Sequence, residues 1–421
     1  TTLFRSSTLT ENKGTDADTV DMVQAFEAKG YSLNPTVQNM YLGMKEDFKS
    51  EAVLPWGVTT YYRATSPAIG GTFTSLEPSQ EKLDKAEPTW KDSMNDYNVM
   101  IVTIARAAGE NTNYTPGEEG VNPEQNLNQA DPLGLSDTER ATIDAAVKAK
   151  EQNGGKVIVL LNNASAMEID ELKNNDGIDA MLEVGIPGGY GFYGVADVLS
   201  GDANPSGHLA DTYAVDNSAS PAAQNYGDYE WTNADSDYSI NSEIVEAESI
   251  YTGYKYYETR YADTVLGQGN ASDSVGSSTG GAWTYDSEVS YPFGYGLSYT
   301  TFTQTLDSLN VDLEKKTVTA EVTVTNTGDV AGKDVVQLYA STPYTDYDKE
   351  HLVEKAAVQL LDYEKTDELA PGESTKVTIT ADAQDMASWD STAANEAGTT
   401  GNYILDAGDY YFTIGNEIGR A

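Results

Sequence analysis

The stretch LSDTERATIDAAVKAKEQNGGKVIVLLNN, residues 135–163, decides the fold of the first part of the chain. Ser136 followed three residues later by Glu139 is a capping box that marks a helix start, and the glycine pair 154–155 marks the helix end. The apolar run that follows has the length of a buried strand, as does YNVMIVTIA at 97–105. A strand, a helix and a second strand in this order predict an α/β layer domain.

The alternation of strands and helices extends to about residue 215. A further helix is predicted at 16–30, where acidic residues precede an apolar pattern and a glycine follows it. Residues 216–300 are rich in Tyr, Asn, Ser and Gly, with a low-complexity loop at 267–283. We predict that this irregular region belongs to the α/β sandwich domain, which would span 1–300.

Beyond residue 300 the period of the apolar positions falls to two. In KTVTAEVTVTNTG (316–328) the alternation puts one set of side chains on a single face, namely Val318, Ala320, Val322 and Val324. Strand-like runs with turn signals between them follow at 334–341, 374–381 and 408–415. The pattern predicts an all-β sandwich, immunoglobulin-like or fibronectin-III-like, over 301–421.

Composition excludes several classes of function. The 421 residues carry 67 Asp and Glu against 25 Lys and Arg, a formal charge of −42, which repels phosphate backbones and anionic lipid surfaces. No window approaches the roughly 18 uninterrupted apolar residues of a membrane helix. The absence of cysteine excludes disulfides and thiol catalysis, and two histidines make a His-based metal site or a Ser-His-Asp triad improbable. We expect no nucleic-acid partner, no membrane insertion, no metal and no cofactor.

Three segments in chain order carry glycine- and tyrosine-rich motifs. They are GIPGGYGFYGVADVLSGDANPSG (185–207), IYTGYKYYETRYAD (250–263) and YPFGYGLSYTTF (291–302). These segments resemble the ADVLFGD-x-NPSG, IYVGYRYY and FPFGYGLSYT motifs of family 3 glycoside hydrolases. The resemblance continues through 322–341 and 369–380 into the fibronectin-III-like domain of that family. The glycine-rich turn at 185–191 alone fits a tight turn better than a phosphate site, because it lacks the G-x-G-x-x-G spacing.

The resemblance implies retaining hydrolysis of terminal sugars, most often β-glucosides. Such chemistry needs two carboxyl groups about 5–5.5 Å apart. In this family one is an aspartate nucleophile on a (β/α)₈-type barrel, and the other is a glutamate acid/base usually supplied by the α/β sandwich domain. No barrel series is visible in this sequence, whereas the strand and loop IVTIARAAGEN (101–111) resemble the segment that carries the acid/base, which places that role on Glu110.

The assignment of Glu110 has alternatives. Asn111 stands where the family motif prefers glycine, and the same loop offers Glu118 and Glu119 as competing carboxylates. A third alternative is that the chain contains no catalytic carboxylate. His208, which follows the NPSG turn, is expected to be a supporting or surface residue. Most tyrosines of 251–261 are expected to lie in the core and at a domain interface, with stacking on sugar rings as the alternative.

The sequence therefore predicts the non-barrel part of a retaining β-glucosidase-like hydrolase, similar to the subset of the family in which these two domains precede the barrel. Its partners would be a β-glucoside-like carbohydrate and a barrel domain in cis or on another chain. This chain alone is expected to be inactive. The alternative is a non-catalytic extracellular protein derived from the family, with a carbohydrate-binding or structural assembly role. The dispersed acidity favours an extracellular or cell-surface location for a bacterial secreted protein, and homo-oligomerisation is left open.

Overall fold

The computed structural model describes residues 20–44, 49–54, 57–62, 77–106, 131, 133–227, 229–232, 242–269 and 275–418. The chain divides into two compact units, Thr1–Ala203 and Asn204–Ala421. The boundary predicted between residues 300 and 301 differs from this division and stays a prediction.

In the first unit the described helices and strands are α1 (Met22–Ala28), α2 (Pro35–Gly43), β1 (Lys49–Leu54), β2 (Gly57–Tyr62), α3 (Gln80–Ala86), α4 (Trp90–Ser93), a 3₁₀ turn (Met94–Asp96), β3 (Val99–Arg106), α5 (Asp137–Asn153), β4 (Lys156–Asn163), α6 (Asp170–Lys173), β5 (Ala180–Glu183) and α7 (Gly191–Ser200). Strands β1 and β2 form an antiparallel hairpin.

A parallel sheet in the order β3-β4-β5 forms the centre of this unit. Successive side chains of a strand point to opposite faces, so each strand serves two cores. One face packs on α1 and α7 through Ala25, Phe26, Ile101, Ile158, Leu160, Leu182, Phe192, Val195 and Ala196. Helix α5 packs on β3 and β4. The predicted α/β sandwich is confirmed.

Helix α5 begins and ends where the sequence predicts. The Glu139 backbone N–H donates to Ser136 Oγ at 3.3 Å, and the Ser136 N–H donates to Glu139 Oε2 at 2.9 Å. At the other end Gly154 takes a left-handed conformation with φ of 71°, which only glycine adopts at little cost. The helix predicted at 16–30 is present as the shorter α1, which starts at a capping box between Asp21 and Gln24.

A carboxyl group is enclosed between α2 and α5. Glu77 Oε1 accepts hydrogen bonds from the Tyr41 hydroxyl at 2.7 Å and the Thr142 hydroxyl at 2.8 Å. Burial raises the pKa of Glu77 to about 7, although these hydrogen bonds act in the opposite direction. The folded protein therefore binds a proton at Glu77 more tightly than the unfolded chain does.

This raised pKa predicts a pH-dependent stability. At pH values between the unfolded pKa of about 4.3 and the folded pKa, Glu77 of the native state holds a proton that the unfolded chain has lost. The free energy of unfolding should therefore fall by about 1–3 kcal/mol as pH rises from 5 to 8. Glu77→Gln should remove that fall, as measured by thermal or urea unfolding at several pH values. Glu81→Gln, in the first turn of the helix α3 that follows Glu77, serves as the control. Equal pH slopes for Glu77→Gln and the unchanged protein would contradict the prediction.

In the second unit the described helices and strands are β6 (Tyr213–Ala214), a 3₁₀ turn (Asn217–Ala219), α8 (Pro221–Asn225), β7 (Tyr229–Glu230), β8 (Ser242–Glu243), α9 (Gly253–Thr264), α10 (Tyr285–Glu288), β9 (Val289–Tyr291), β10 (Phe302–Asp312), β11 (Thr317–Asn326), β12 (Val335–Ser341), α11 (Asp346–His351), β13 (Gln359–Lys365), β14 (Ser374–Asp382), a 3₁₀ turn (Ala383–Met386), β15 (Ser388–Ala394), β16 (Thr400–Ile404) and β17 (Tyr411–Gly415).

Two antiparallel three-stranded sheets, β10-β11-β14 and β13-β12-β17, share one apolar core. The four residues predicted to face inward from β11 are all fully buried there: Val318, Ala320, Val322 and Val324. They pack with side chains of β12, β13 and β14. The predicted all-β sandwich is confirmed.

An aromatic core underlies the irregular region that precedes the sandwich. Tyr256 and Tyr257 on α9 are buried with Trp283, Tyr285 and Val289. Burial raises the pKa of Tyr257 well above its ordinary value, because the phenolate form loses its hydration in this core. These tyrosines are therefore structural.

A buried cluster of three charges lies in the sandwich unit. The Lys355 ammonium donates to Asp348 Oδ2 at 3.0 Å, to Asp406 and to the Pro343 carbonyl at 2.9 Å. Exposure of the three charged side chains is only 5% for Lys355, 0% for Asp348 and 10% for Asp406. Burial opposes ionisation of Asp348, but hydrogen bonds from Thr345 and Lys355 outweigh it and lower the pKa of that carboxyl.

Candidate active site

The three carboxylates predicted as acid/base candidates all lie outside the described residues. Glu110, Glu118 and Glu119 fall within 107–130, between β3 and α5. What the structure does describe is the place from which this segment departs and the place to which it returns. The segment departs from the end of β3 at the carboxyl edge of the parallel sheet, and the chain returns at Gly134, whose carbonyl accepts a hydrogen bond from Arg106.

Polar side chains end each of the three parallel strands. Arg106 closes β3, Asn163 closes β4 and Glu183 closes β5, and Arg106 pairs with Asn163 in the register. In open α/β sheets this edge is where ligands bind. In the sequence, this edge is indicated by the polar residues that end the apolar runs. No sequence pattern singles out Arg106, Asn163 or Glu183.

Both terminal nitrogens of the buried Arg106 make hydrogen bonds. Its two terminal nitrogens contact Glu139, with Nη1 to Oε1 at 2.6 Å and Nη2 to Oε2 at 3.0 Å. Nη2 also donates to the Gly134 carbonyl at 2.6 Å, and Nη1 donates to the Ala105 carbonyl at 2.9 Å. The two side chains are 1% and 3% exposed. Because the carboxylate of Glu139 compensates the guanidinium, the site holds a neutral pair rather than a free cation.

Two asparagines add amide groups at the same edge. Asn162 Nδ2 donates to the Gly185 carbonyl at 2.5 Å, which links β4 to the turn after β5. Asn163 is 2% exposed, and its Nδ2 has no acceptor among the described residues. A buried N–H without an acceptor costs about 1–3 kcal/mol, so this donor is a local cost to stability.

The glycine-rich turn between β5 and α7 closes this edge on one side. The Gly185 N–H donates to Glu183 Oε1 at 2.8 Å, and the Gly189 carbonyl accepts from the Val20 N–H at 2.8 Å. Gly185 and Gly188 have φ of 61° and 68°, so both positions favour glycine. The tight-turn interpretation accounts for these glycines through backbone geometry.

In the second unit, two of the family-like motifs bind each other. Asn204 Nδ2 donates to the Ala331 carbonyl at 2.9 Å, and its Oδ1 accepts from Ser298 Oγ at 2.9 Å and the Tyr299 N–H at 2.8 Å. His208 Nδ1 lies 2.6 Å from the Gly294 carbonyl. The NPSG segment and its continuation to His208 are therefore held to the FGYGLSY segment by hydrogen bonds. This contact agrees with the supporting role predicted for His208.

The described part of the chain contains no group of three or more metal-ligating side chains. None of its helices is both long and apolar enough to cross a membrane.

Comparison with known proteins identifies the family. Residues 13–299 match the model of the glycosyl hydrolase family 3 C-terminal domain, and residues 334–418 match a fibronectin type III-like domain. Beta-glucosidase A of Butyrivibrio fibrisolvens is 33% identical over 65% of this chain, and a beta-glucosidase of Ruminococcus albus is 30% identical over 86% of it. The matched segments cover 29% and 31% of those two proteins, so the chain spans about a third of their length.

Solved structures agree with this result. A beta-glucosidase from Paenibacillus barengoltzii has a TM-score of 0.65 and 25% identity, over 95% of this chain and 36% of its own. Beta-glucosidase 3B from Thermotoga neapolitana, solved with α-D-glucose, has a TM-score of 0.65 and 26% identity, over 95% of this chain and 45% of its own. The chain belongs to glycosyl hydrolase family 3, of which it carries the C-terminal domain followed by a fibronectin type III-like domain.

Proposed function

We propose that this chain is the non-barrel portion of a retaining β-glucosidase-like hydrolase and that it supplies the acid/base Glu110 and part of the sugar site. The observation that carries the proposal is the position of Glu110 in the chain. Glu110 comes four residues after Arg106, the last residue of β3. That strand ends at the carboxyl edge of the parallel sheet. Ligands of open α/β sheets bind at that edge.

Retaining hydrolysis gives different roles to its two carboxyl groups. One carboxylate must attack the anomeric carbon while a second carboxyl, about 5–5.5 Å away, protonates the departing oxygen and later activates water. Glu110 would be the second group. The nucleophile would come from a barrel domain, in cis or on another chain, because no barrel series occurs among the residues that the structure describes.

The substrate proposed is a neutral β-glucoside. The relatives and solved structures above are beta-glucosidases by name, and one of the structures is a complex with glucose. The formal charge of −42 suits a neutral sugar better than an anionic one. The same acidity supports a location outside the cell or on its surface, which fractionation of the producing cells would test.

The test is to measure hydrolysis of an aryl β-glucoside by the 421-residue chain alone, by a family 3 barrel alone, and by the two joined in one polypeptide. We expect turnover only from the joined protein, since losing either carboxyl commonly costs many powers of ten in rate. Robust turnover by the chain alone would contradict the proposal. A joined protein that binds glucose but never turns over would favour the non-catalytic, carbohydrate-binding alternative.

A further inference from the structure

The inner face of the β-sandwich is uncovered along strand β10. Three apolar residues of β10 pair directly with core residues of β11, in the register Leu306–Val322, Leu309–Ala320 and Val311–Val318. Side chains of directly paired residues lie on the same face of a sheet, so the three β10 side chains point to the core side. Their partners on β11 are fully buried, whereas Leu306, Leu309 and Val311 are 39%, 37% and 42% exposed.

The opposite edge of the same sheet is closed. The same three rows of side chains continue across β11 to Val377, Ile379 and Ala381 of β14. These residues are at most 5% exposed, and β13 of the opposing sheet packs on β14. At the other edge, β17 is the strand of the opposing sheet that approaches β10, but it leaves the three β10 side chains uncovered. The inner face is therefore complete at β14 and incomplete at β10.

A backbone edge lies beside this uncovered face. Strand β17 (Tyr411–Gly415) pairs with β12 and with no other strand in the described part of the chain. The N–H and C=O groups on the other side of such an edge strand are a template for pairing with a further strand. Neighbouring strands lie about 4.8 Å apart and packed sheets about 10 Å apart. A strand added to β17 would therefore continue the second sheet over β10.

An extended segment satisfies both features at once. Its backbone can pair with the edge of β17, and its period of two turns every second side chain toward β10, where apolar residues are needed. A second copy of this chain is disfavoured as the donor, because two molecules that each carry a formal charge of −42 repel one another. The two relatives named above contain much further polypeptide, since the matched segments cover only 29% and 31% of them.

We propose that the edge of β17 and the uncovered face of β10 form a docking site for one β-strand, which has apolar residues at every second position. The strand is supplied by the part of a full-length family 3 enzyme that this chain does not contain. It extends the second sheet to the order β13-β12-β17-strand, and its inward side chains cover Leu306, Leu309 and Val311. The inference is independent of the role proposed for Glu110.

The first test uses the 421-residue chain and overlapping synthetic peptides that tile the Ruminococcus albus beta-glucosidase outside the segment matched by this chain. Peptides of about 15 residues are long enough for a strand of ordinary length. We expect a peptide with alternating apolar residues to bind, as measured by fluorescence anisotropy, and to slow amide hydrogen exchange in 411–415 at least tenfold. Absence of binding by every peptide, or binding that leaves this exchange unchanged, overturns the proposal.

Backbone methylation of the bound peptide tests whether it pairs as a strand. In a strand, alternate N–H groups point to the neighbouring strand and away from it. Methylating one alternate set of peptide nitrogens should therefore weaken binding at least tenfold, and methylating the other set should change it less than about threefold. Equal effects of the two sets would contradict pairing along one edge.

The second test changes the apolar face of β10. Leu309→Ser with Val311→Ser should weaken peptide binding at least tenfold, because it removes the surface that the inward side chains cover. The matched control is Thr303→Ser with Asn310→Ser, two exposed residues on the outward face of the same strand, which should change binding less than about twofold. Equal weakening by both double variants, each checked for an unchanged far-ultraviolet spectrum, overturns the assignment of the site. If the Leu309/Val311 variant does not fold, Leu309→Ala takes its place.

Sedimentation of the chain without peptide tests the identity of the donor. We expect a monomer, because the charge opposes self-association. A dimer that Leu309→Ser with Val311→Ser dissociates would show that a second copy occupies the site, and this result would overturn the assignment of the donor.

Discussion

Glu110→Gln is expected to lower kcat for β-glucosides with poor leaving groups by roughly a hundred- to ten-thousandfold in the barrel-joined protein. Glutamine keeps the shape of the side chain but has no proton to donate, so an alkoxide or sugar must depart unassisted. Activated aryl glucosides leave as stable phenolates and need little protonation. The rate of their glycosylation step should therefore fall at least tenfold less than it does for substrates with poor leaving groups.

The controls for this prediction are Glu118→Gln and Glu119→Gln, which remove the competing carboxylates of the same segment. Both should leave the leaving-group dependence unchanged. In the assembled site the approach of the substrate and the negative charge of the nucleophile would each favour the protonated form of the acid. The leaving-group pattern appearing in Glu118→Gln or Glu119→Gln instead would transfer the assignment to that residue.

Lys355→Met should lower the free energy of unfolding of the sandwich unit by about 3–5 kcal/mol at pH 7. The substitution leaves Asp348 and Asp406 buried without their shared cation, and it also removes a donor from the Pro343 carbonyl. Chemical unfolding monitored by far-ultraviolet circular dichroism measures the loss.

The pH dependence separates this mechanism from a simple packing defect. In the unchanged protein the lowered pKa of Asp348 contributes stability that is present above the unfolded value near 3.9 and lost as pH falls. Without Lys355 the carboxylates repel, their pKa values rise, and the destabilisation should shrink between pH 7 and pH 5. Lys349→Met is the control, because Lys349 pairs with Asp346 at 3.4 Å on the exposed surface and should cost less than about 0.5 kcal/mol. A loss for Lys355→Met that is the same at both pH values would point to packing instead.

The architecture was predictable wherever local signals agreed with the tertiary structure. The capping box at Ser136 and the left-handed Gly154 set the bounds of α5, and the strands on either side followed from their apolar runs. The inward face of β11 followed from strict alternation, since a strand with one buried face has period two.

Strands with broken alternation were not predictable in the same way. In β10 the register shifts between Leu306 and Ser308, and in β13 the pairing with β12 skips Leu361. A bulge moves later side chains to the opposite face, which erases the period in the sequence. The hairpin of β15 and β16 also carries few apolar residues, so its pattern resembles that of a loop.

The site was predictable only as far as motif and strand position allow. The resemblance places the acid/base role on Glu110, which follows β3 in the sequence, and β3 ends at the carboxyl edge of the sheet. Arg106 and Glu139 are far apart in the sequence, and Glu139 already had a sufficient explanation as the capping residue of α5. Their pairing depends on β3 and α5 packing together, which no local pattern encodes.

Azide rescue of Glu110→Ala tests the central claim most directly, namely that this chain supplies the acid/base of a retaining glycosidase. With an activated aryl β-glucoside the barrel nucleophile still forms the glycosyl-enzyme, but no base remains to activate water. Azide needs no base; it attacks the anomeric carbon, the bond to the nucleophile breaks, and the nucleophile leaves as a carboxylate. The account predicts faster turnover with added azide and β-glucosyl azide as the product. Turnover that azide does not change, with glucose as the product throughout, would contradict it.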